Sequence, residues 1–287
     1  AFDAGTGADN TAVGSGALGG ASNSAADNVA IGIDAGNQIS SGVNNTLIGS
    51  HAGDALNTGG SNVAVGFEAL TTDVKGNYSV AVGNYALNAQ TFATAANVYN
   101  TAVGYAAGLS ITSGTHNTLI GGLAGDALED ADGNVAVGYA ALTANVLGSD
   151  SVAIGKNALN LQNPDTAMAM NNVAIGKNTG EAVTTGRFNV FVGNDAGLDI
   201  DTGGTNTAVG HAALATDTKG DQSVAVGTGA LNAQAFTTAT NSFNTAVGRS
   251  AGLSLTTGVQ NTLMGATAGN TLGDSDYNVA IGYGALY

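Results

Sequence analysis

The residues of this chain that could do chemistry are few: three histidines, a scatter of closely spaced carboxylates and no cysteine. His51, His116 and His211 could serve as general bases or metal ligands if a serine, a carboxylate or further nitrogen ligands lay in a fitting pattern. No motif supplies such partners, and the three fall at different points of the repeat described below, so they read as solvated surface side chains. The carboxylates gather in three loops, LEDADGN (Leu128 to Asn134), LDIDTGGTN (Leu198 to Asn206) and LGDSDYN (Leu272 to Asn278). Asp alternating with Gly and Asn on a tight turn offers the hard oxygen ligands that Ca²⁺ takes. Asp130, Asp132, Asp199, Asp201, Asp274 and Asp276 are therefore the calcium candidates. The closing Glu of an EF-hand loop and the glycine-rich nonapeptide of calcium β-rolls are both missing, so ordinary solvated turns are the competing reading. No catalytic residue and no other cofactor is expected.

The scaffold that must hold these residues is short of bulk. Of 287 residues 45 are Gly, aromatics make up 5%, Trp and Cys are absent and the one proline is Pro164. A thick core cannot be built from this. Yet 44% of residues are hydrophobic and 9% charged, too apolar for a disordered tract and too evenly broken by Gly and Asn for a membrane span. A net charge of −15 repels phosphate backbones and anionic lipid, so neither nucleic acid binding nor membrane insertion is expected. The chain starts at Ala1 with no leader, which reads as a processed product or a fragment.

An internal repeat dominates the rest. A five-residue block (Asn or Ser, Val or Thr, usually Ala, an aliphatic residue or Met, Gly) recurs with its glycine at Gly14, Gly32, Gly49, Gly66, Gly83, Gly104 and onward to Gly282, 16 times in all. After a first step of 18 the spacing is 17 residues with a longer fourth step of 21, so four blocks form a 72-residue unit. Four residues after the marker glycines the order Gly, Gly, Leu, Leu holds throughout, as in Gly36, Gly53, Leu70, Leu87. Gly, Asn, Val and Thr are poor helix formers, whereas β-branched residues two apart suit one face of a strand. Copies that stay in phase are explained by each circuit stacking on its twin. The reading is an all-β, parallel β-solenoid of 16 two-stranded rungs, one continuous domain over 1–287, on the order of 75 Å long at roughly 4.8 Å per rung. The second strand of each rung is placed on the segment carrying one apolar residue, such as Ile39, Leu128, Val183 or Leu255.

Three side-chain assignments follow. The first and third block positions (Val63 and Val65, Thr101 and Val103) are expected to face the core. The middle position then faces out and forms an apolar stripe, Ala30, Leu47, Ala64, Leu119, Phe191 and Leu263 among others, which reads as an oligomer interface. The asparagines that open the blocks, Asn28, Asn45, Asn62, Asn100, Asn117, Asn134, Asn172, Asn189, Asn206, Asn244, Asn261 and Asn278, are expected to form a hydrogen-bonded ladder from rung to rung and to suit a turn. Bulk in the fourth-rung loops (Phe92, Val98, Tyr99, Met168, Met170, Phe236, Phe243) either tucks under locally or forms a lateral contact or ligand edge.

The blocks SVAVG (Ser79 to Gly83), SVAIG (Ser151 to Gly155) and SVAVG (Ser223 to Gly227) resemble the head repeats of YadA-like trimeric autotransporter adhesins. NTAVGYAAG and NTLIG are similar to repeats of bacteriophage tail fibres and related surface fibres. The resemblance implies a left-handed parallel β-roll with three chains side by side, although the 17- and 21-residue steps are longer than the adhesin rung. The expected function is a non-enzymatic structural or adhesive fibre, extracellular on a cell surface or virion appendage. Its partners would be further copies of itself, as a trimer and end to end, and a host-surface glycan or protein. The end-to-end expectation comes from the first block being of the fourth kind and the last of the third. A tailspike-type enzyme acting on polysaccharide would need clustered carboxylates on elaborated loops. An ice- or mineral-binding array is the other alternative.

Overall fold

The computed structural model describes residues 9–20 and 24–287. The chain divides into two compact units, Ala1–Ala140 and Ala141–Tyr287. In the first, eight three-residue strands run Thr11–Val13, Val29–Ile31, Thr46–Ile48, Val63–Val65, Val80–Val82, Thr101–Val103, Thr118–Ile120 and Val135–Val137. Each pairs in parallel with the next, like position on like: Ala30 opposite Leu47, Leu47 opposite Ala64, Ala64 opposite Ala81. The second unit repeats this with Val152–Ile154, Val173–Ile175, Val190–Val192, Thr207–Val209, Val224–Val226, Thr245–Val247, Thr262–Met264 and Val279–Ile281. This is an all-β parallel β-solenoid with one circuit per block and a 17-residue pitch. The return side of each circuit is mostly turn. Among the described residues it becomes regular strand only at the long fourth rungs, where Gly76–Asn77 pairs with Ala96–Asn97, Gly148–Ser149 with Met168–Ala169, and Gly220–Asp221 with Thr240–Asn241. No helix among the described residues is long and apolar enough to cross a membrane.

The marker glycines stack in a column because nothing larger fits. A Cβ added to Gly49 would lie 2.3 Å from the carbonyl oxygen of Gly66, and its φ of +139° suits only glycine. Backbone hydrogen bonds then tie each turn to the one before, as from Gly66 N to the Ile48 carbonyl at 2.8 Å.

The strand faces are the reverse of the sequence expectation. Ala30, Leu47, Ala64, Leu119, Phe191 and Leu263 are fully buried inside their own chain and cannot be an oligomer interface. The flanking positions point outward: Ile48, Ile120 and Met264 are 37%, 41% and 44% exposed. The reason is the thinness of the circuit. The space between a strand and its return segment is taken at most rungs by a leucine or isoleucine from another position, which leaves room for only a methyl group, so alanine takes the inner position. Bulky β-branched residues go outside, where each is half-covered by its counterparts above and below, and a pleated, half-buried surface is what β-propensity measures.

This geometry also explains the Gly, Gly, Leu, Leu order. On Leu rungs, Leu70 and Leu87 turn inward from a left-handed backbone (φ 54° and 50°) and are fully buried. The left-handed conformation costs roughly 1–2 kcal/mol, and burying the side chain returns about 1.5–3 kcal/mol. On Gly rungs the same space is filled from elsewhere. Leu119 reaches across two circuits, its Cδ1 lying 2.8 Å from where a Cβ on Gly108 would be and its Cδ2 2.9 Å from one on Gly125. Leu47 does the same between Gly36 and Gly53, Phe191 between Gly180 and Gly197, and Leu263 between Gly252 and Gly269. The large middle residue once per four rungs is a key, but its lock is internal. Ile39, Leu56, Ile111 and Leu128 complete the filling from the return side and are buried.

Candidate functional surfaces

Residues that recur at every rung can act only in arrays, so the surfaces are built column by column. The first column is internal. Asn28, Asn45, Asn62, Asn100, Asn117, Asn134, Asn172, Asn189, Asn206, Asn244 and Asn261 are buried, and Asn278 is half-buried. The Asn45 backbone N donates to Asn28 Oδ1 at 2.9 Å, and its own Oδ1 accepts from Asn62 N at 3.0 Å. The Asn45 amide Nδ2 donates to the Gly59 carbonyl on the return side at 3.0 Å, which closes the circuit. The left-handed turn belongs to the residue before each ladder position, such as Asn44 (φ 60°) or Ser61 (φ 59°), so the buried asparagines serve the ladder and not the turn conformation.

Three rungs, four apart, open with Ser79, Ser151 and Ser223, whose side chains are too short to continue the ladder. The missing amide comes from the loop. Gln90 Nε2 donates to Ser79 Oγ at 2.9 Å and to Asp73 Oδ2 at 2.7 Å, while its Oε1 accepts from Asn100 Nδ2 at 3.0 Å. Gln234 makes the same three contacts with Ser223, Asp217 and Asn244. Gln162 joins Ser151 to Asn172, with Asn145 at the aspartate position. Sequence reasoning missed these splices; the signal was the ALNAQ that follows the Ser79 and Ser223 blocks. Asp73 also accepts from Gly76 N and Phe92 N at 3.0 and 3.3 Å. Burial nonetheless pushes its carboxyl above the ordinary range, against the lowering effect of those hydrogen bonds.

The second array is the outer strand face, two columns of Val, Ile and Thr on each unit. Beside it on the first unit lie Ile33, Phe67, Tyr105 and Tyr139, all exposed. Phe67 meets Tyr85 edge to face at 5.4 Å. On the second unit the corresponding positions are mostly polar, Lys156, Lys177, Asn194, His211, Thr228 and Arg249, followed by Ala266 and the exposed Tyr283.

Four of the six calcium candidates serve as rung-to-rung acceptors. Asp130 accepts from Thr112 Oγ1 at 2.7 Å and Ser113 Oγ at 2.6 Å, and these bonds hold its carboxyl below the ordinary range. Asp132 accepts from Thr115 N at 2.6 Å, Asp276 from Val259 N at 2.8 Å, and Asp201 from the Thr184 hydroxyl. Asp199 and Asp274 are both exposed in the same loops. Among the described residues no three His, Cys, Asp or Glu side chains come together in a metal-holding group.

The histidines are dispersed. His51 lies between Asp54 and Asp34 at 3.6 and 4.0 Å, which makes it half-buried and partnered where a solvated side chain was expected. His116 contacts the ring of Tyr99, itself stacked on Tyr78 at 5.2 Å. His211 is exposed. Of the fourth-rung bulk, Val98, Met170 and Phe236 tuck in, whereas Tyr99 and Phe243 are about half-exposed. No family model matches the chain, and no curated protein and no solved structure matches it at a significant level.

Proposed function

We propose that this chain is a non-enzymatic rod segment of an extracellular structural or adhesive fibre, on a cell surface or virion appendage, that associates side by side with copies of itself. The observation that carries this is the outer strand face, where Ile31, Ile48, Val103 and Ile120 on one unit and Ile154, Ile175 and Met264 on the other are more than a third exposed. A contiguous apolar face of this kind calls for a partner. A second copy is the occupant that fits, because only another stack of the same circuits presents side chains at the same rung spacing, so that ridges of one enter grooves of the other along the whole face. The rod reading draws on the ladder and splices within each unit, which make each circuit the template for the next. The non-enzymatic reading draws on repetition: the buried carboxylates Asp73 and Asp217, 144 residues apart with Asn145 between them, are engaged in the same way with backbone amides and Gln side chains.

Particle mass in solution tests this. The chain is expected to sediment as a multimer, a trimer under the adhesin resemblance, and Ile48→Lys with Ile120→Lys is expected to give monomers with little change in melting temperature. A wild-type chain that stays monomeric at tens of micromolar would overturn the side-by-side reading, and release of reducing ends from polysaccharide would overturn the non-enzymatic one.

A further inference from the structure

We propose that the depression beside Arg187 and Phe188 in the second unit binds a saccharide. The starting point is a break in the repetition. Where this copy of the 72-residue unit has Arg187, the other three have Val43, Thr115 and Val259; where it has Phe188, they have Asn44, His116 and Gln260. One rung further on, two of the copies carry Asp132 and Asp276, whose carboxylates reach back to the backbone N of Thr115 and Val259. This copy has Gly204 instead, and without that arm an open depression of about 350 Å³ remains. The first copy shares the glycine, Gly60, but sets Val43 and Asn44 beside it. Only the third copy combines the vacancy with a cation and an aromatic ring.

The chemistry of the lining selects the ligand. Phe188 stands on a left-handed turn (φ 59°) and is half-exposed. Arg187 Nε donates to the Ala169 carbonyl at 3.0 Å, which fixes the guanidinium with its Cζ 4.7 Å from the Phe188 ring centre. Asp221 accepts from Gly204 N at 2.6 Å, and Gln222 Nε2 donates to Asn241 Oδ1 at 3.2 Å, which leaves an amide acceptor and an amide donor on the wall. One ring beside mixed donors and acceptors, on rigid rungs, matches a sugar: hydroxyls both give and accept hydrogen bonds, and the C–H face of the ring packs on an aromatic surface. An apolar ligand would leave the guanidinium, carboxylate and amides without water or partners. A simple anion would meet Asp221 and the negative charge of the whole chain.

This site deepens the adhesive part of the proposed function and rests on it. The test applies the full chain to an immobilised panel of neutral hexoses, N-acetylhexosamines and uronic acids, as mono- and disaccharides. Two variants accompany it, each made of residues native to the same place in another copy: Arg187→Thr with Phe188→His, and Gly204→Asp. Melting temperature and sedimentation are measured on the same samples. At least one sugar is expected to bind the wild type, with a loss of tenfold or more in both variants while folding and particle mass stay unchanged. Binding that persists undiminished in both variants would overturn this site and leave an adhesive role standing. Binding of nothing on the panel would overturn the saccharide assignment, while the sedimentation result reports on the rod reading independently.

Discussion

Leu119→Ala decides which face of the strand is the inside. The substitution removes three buried carbons, a transfer loss of about 2.4 kcal/mol at ~0.8 kcal/mol each. Closure of the void is limited, because two of the positions that border it, Gly108 and Gly125, have no side chain to swing in, and Ile111 and Leu128 are already buried in place. A residual cavity on the order of 70 Å³ adds about 1.7 kcal/mol at ~24 cal/mol per Å³. The total, about 4 kcal/mol, lies in the upper part of the usual range for such truncations. The adjacent residue is the control: Ile120 is 41% exposed, so Ile120→Ala is expected to cost about 1 kcal/mol or less. Urea titrations read both, and with a slope of about 3 kcal/mol per M the first shifts the midpoint by about 1.3 M. Leu119→Met, which keeps the volume, is expected to cost less than about 1.5 kcal/mol. Equal losses for Leu119→Ala and Ile120→Ala, or a larger one for Ile120, would refute the face assignment and with it the internal lock of Leu119 between two glycines.

Gln90→Leu is expected to destabilise by roughly 3–5 kcal/mol, since it leaves the buried Asp73, Ser79 and Asn100 each short of a partner; hydrogen exchange should show protection lost first around Ser79 and Asn100, and uniform loss along the chain would argue against a local splice. Asp73→Asn, which copies Asn145, tests the buried carboxyl by its pH dependence. The folded carboxyl holds its proton to a higher pH than the unfolded one, so this group's stabilisation is present below the ordinary value of about 3.9 and is lost as pH rises through the raised folded value. The wild type should therefore gain stability relative to the Asn variant as pH falls from 7 toward 4, and a constant or opposite difference in urea midpoints would contradict this.

The stacked circuits were legible because their signal is periodic: marker glycines 17 apart predict a column, and Gly49, Gly66 and Gly83 form one. The asparagine ladder was legible for the same reason. The strand faces were not, because bulk alone is a poor guide to burial in a circuit so thin. Val63 and Val65 are the larger side chains and face out, Ala64 is the smaller and faces in, and only the spacing of Leu47 and Leu119 against the Gly pairs carried the answer. Both patterns stood in the sequence separately. What joins them is the distance from one strand to the return segment, a quantity no single circuit encodes. The Gln90 splice escaped for a related reason: its three partners lie 10, 11 and 17 residues away on different circuits. The Arg187 and Phe188 pair is visible only by laying the four long copies side by side and asking where one dissents.

The internal lock sets the grain at which such a chain can change length. Loss of a Gly turn such as that of Gly108 would drive Leu119 against Leu87, which already fills its own circuit, and a gained Gly turn would have no large side chain to cover its glycine. Deletion or duplication of a full four-turn cassette leaves every junction with the neighbours it had. Genes of this design are therefore expected to vary in steps of whole cassettes, and the span between whatever flanks the repeat becomes a heritable dimension that recombination can reset without redesigning a single contact.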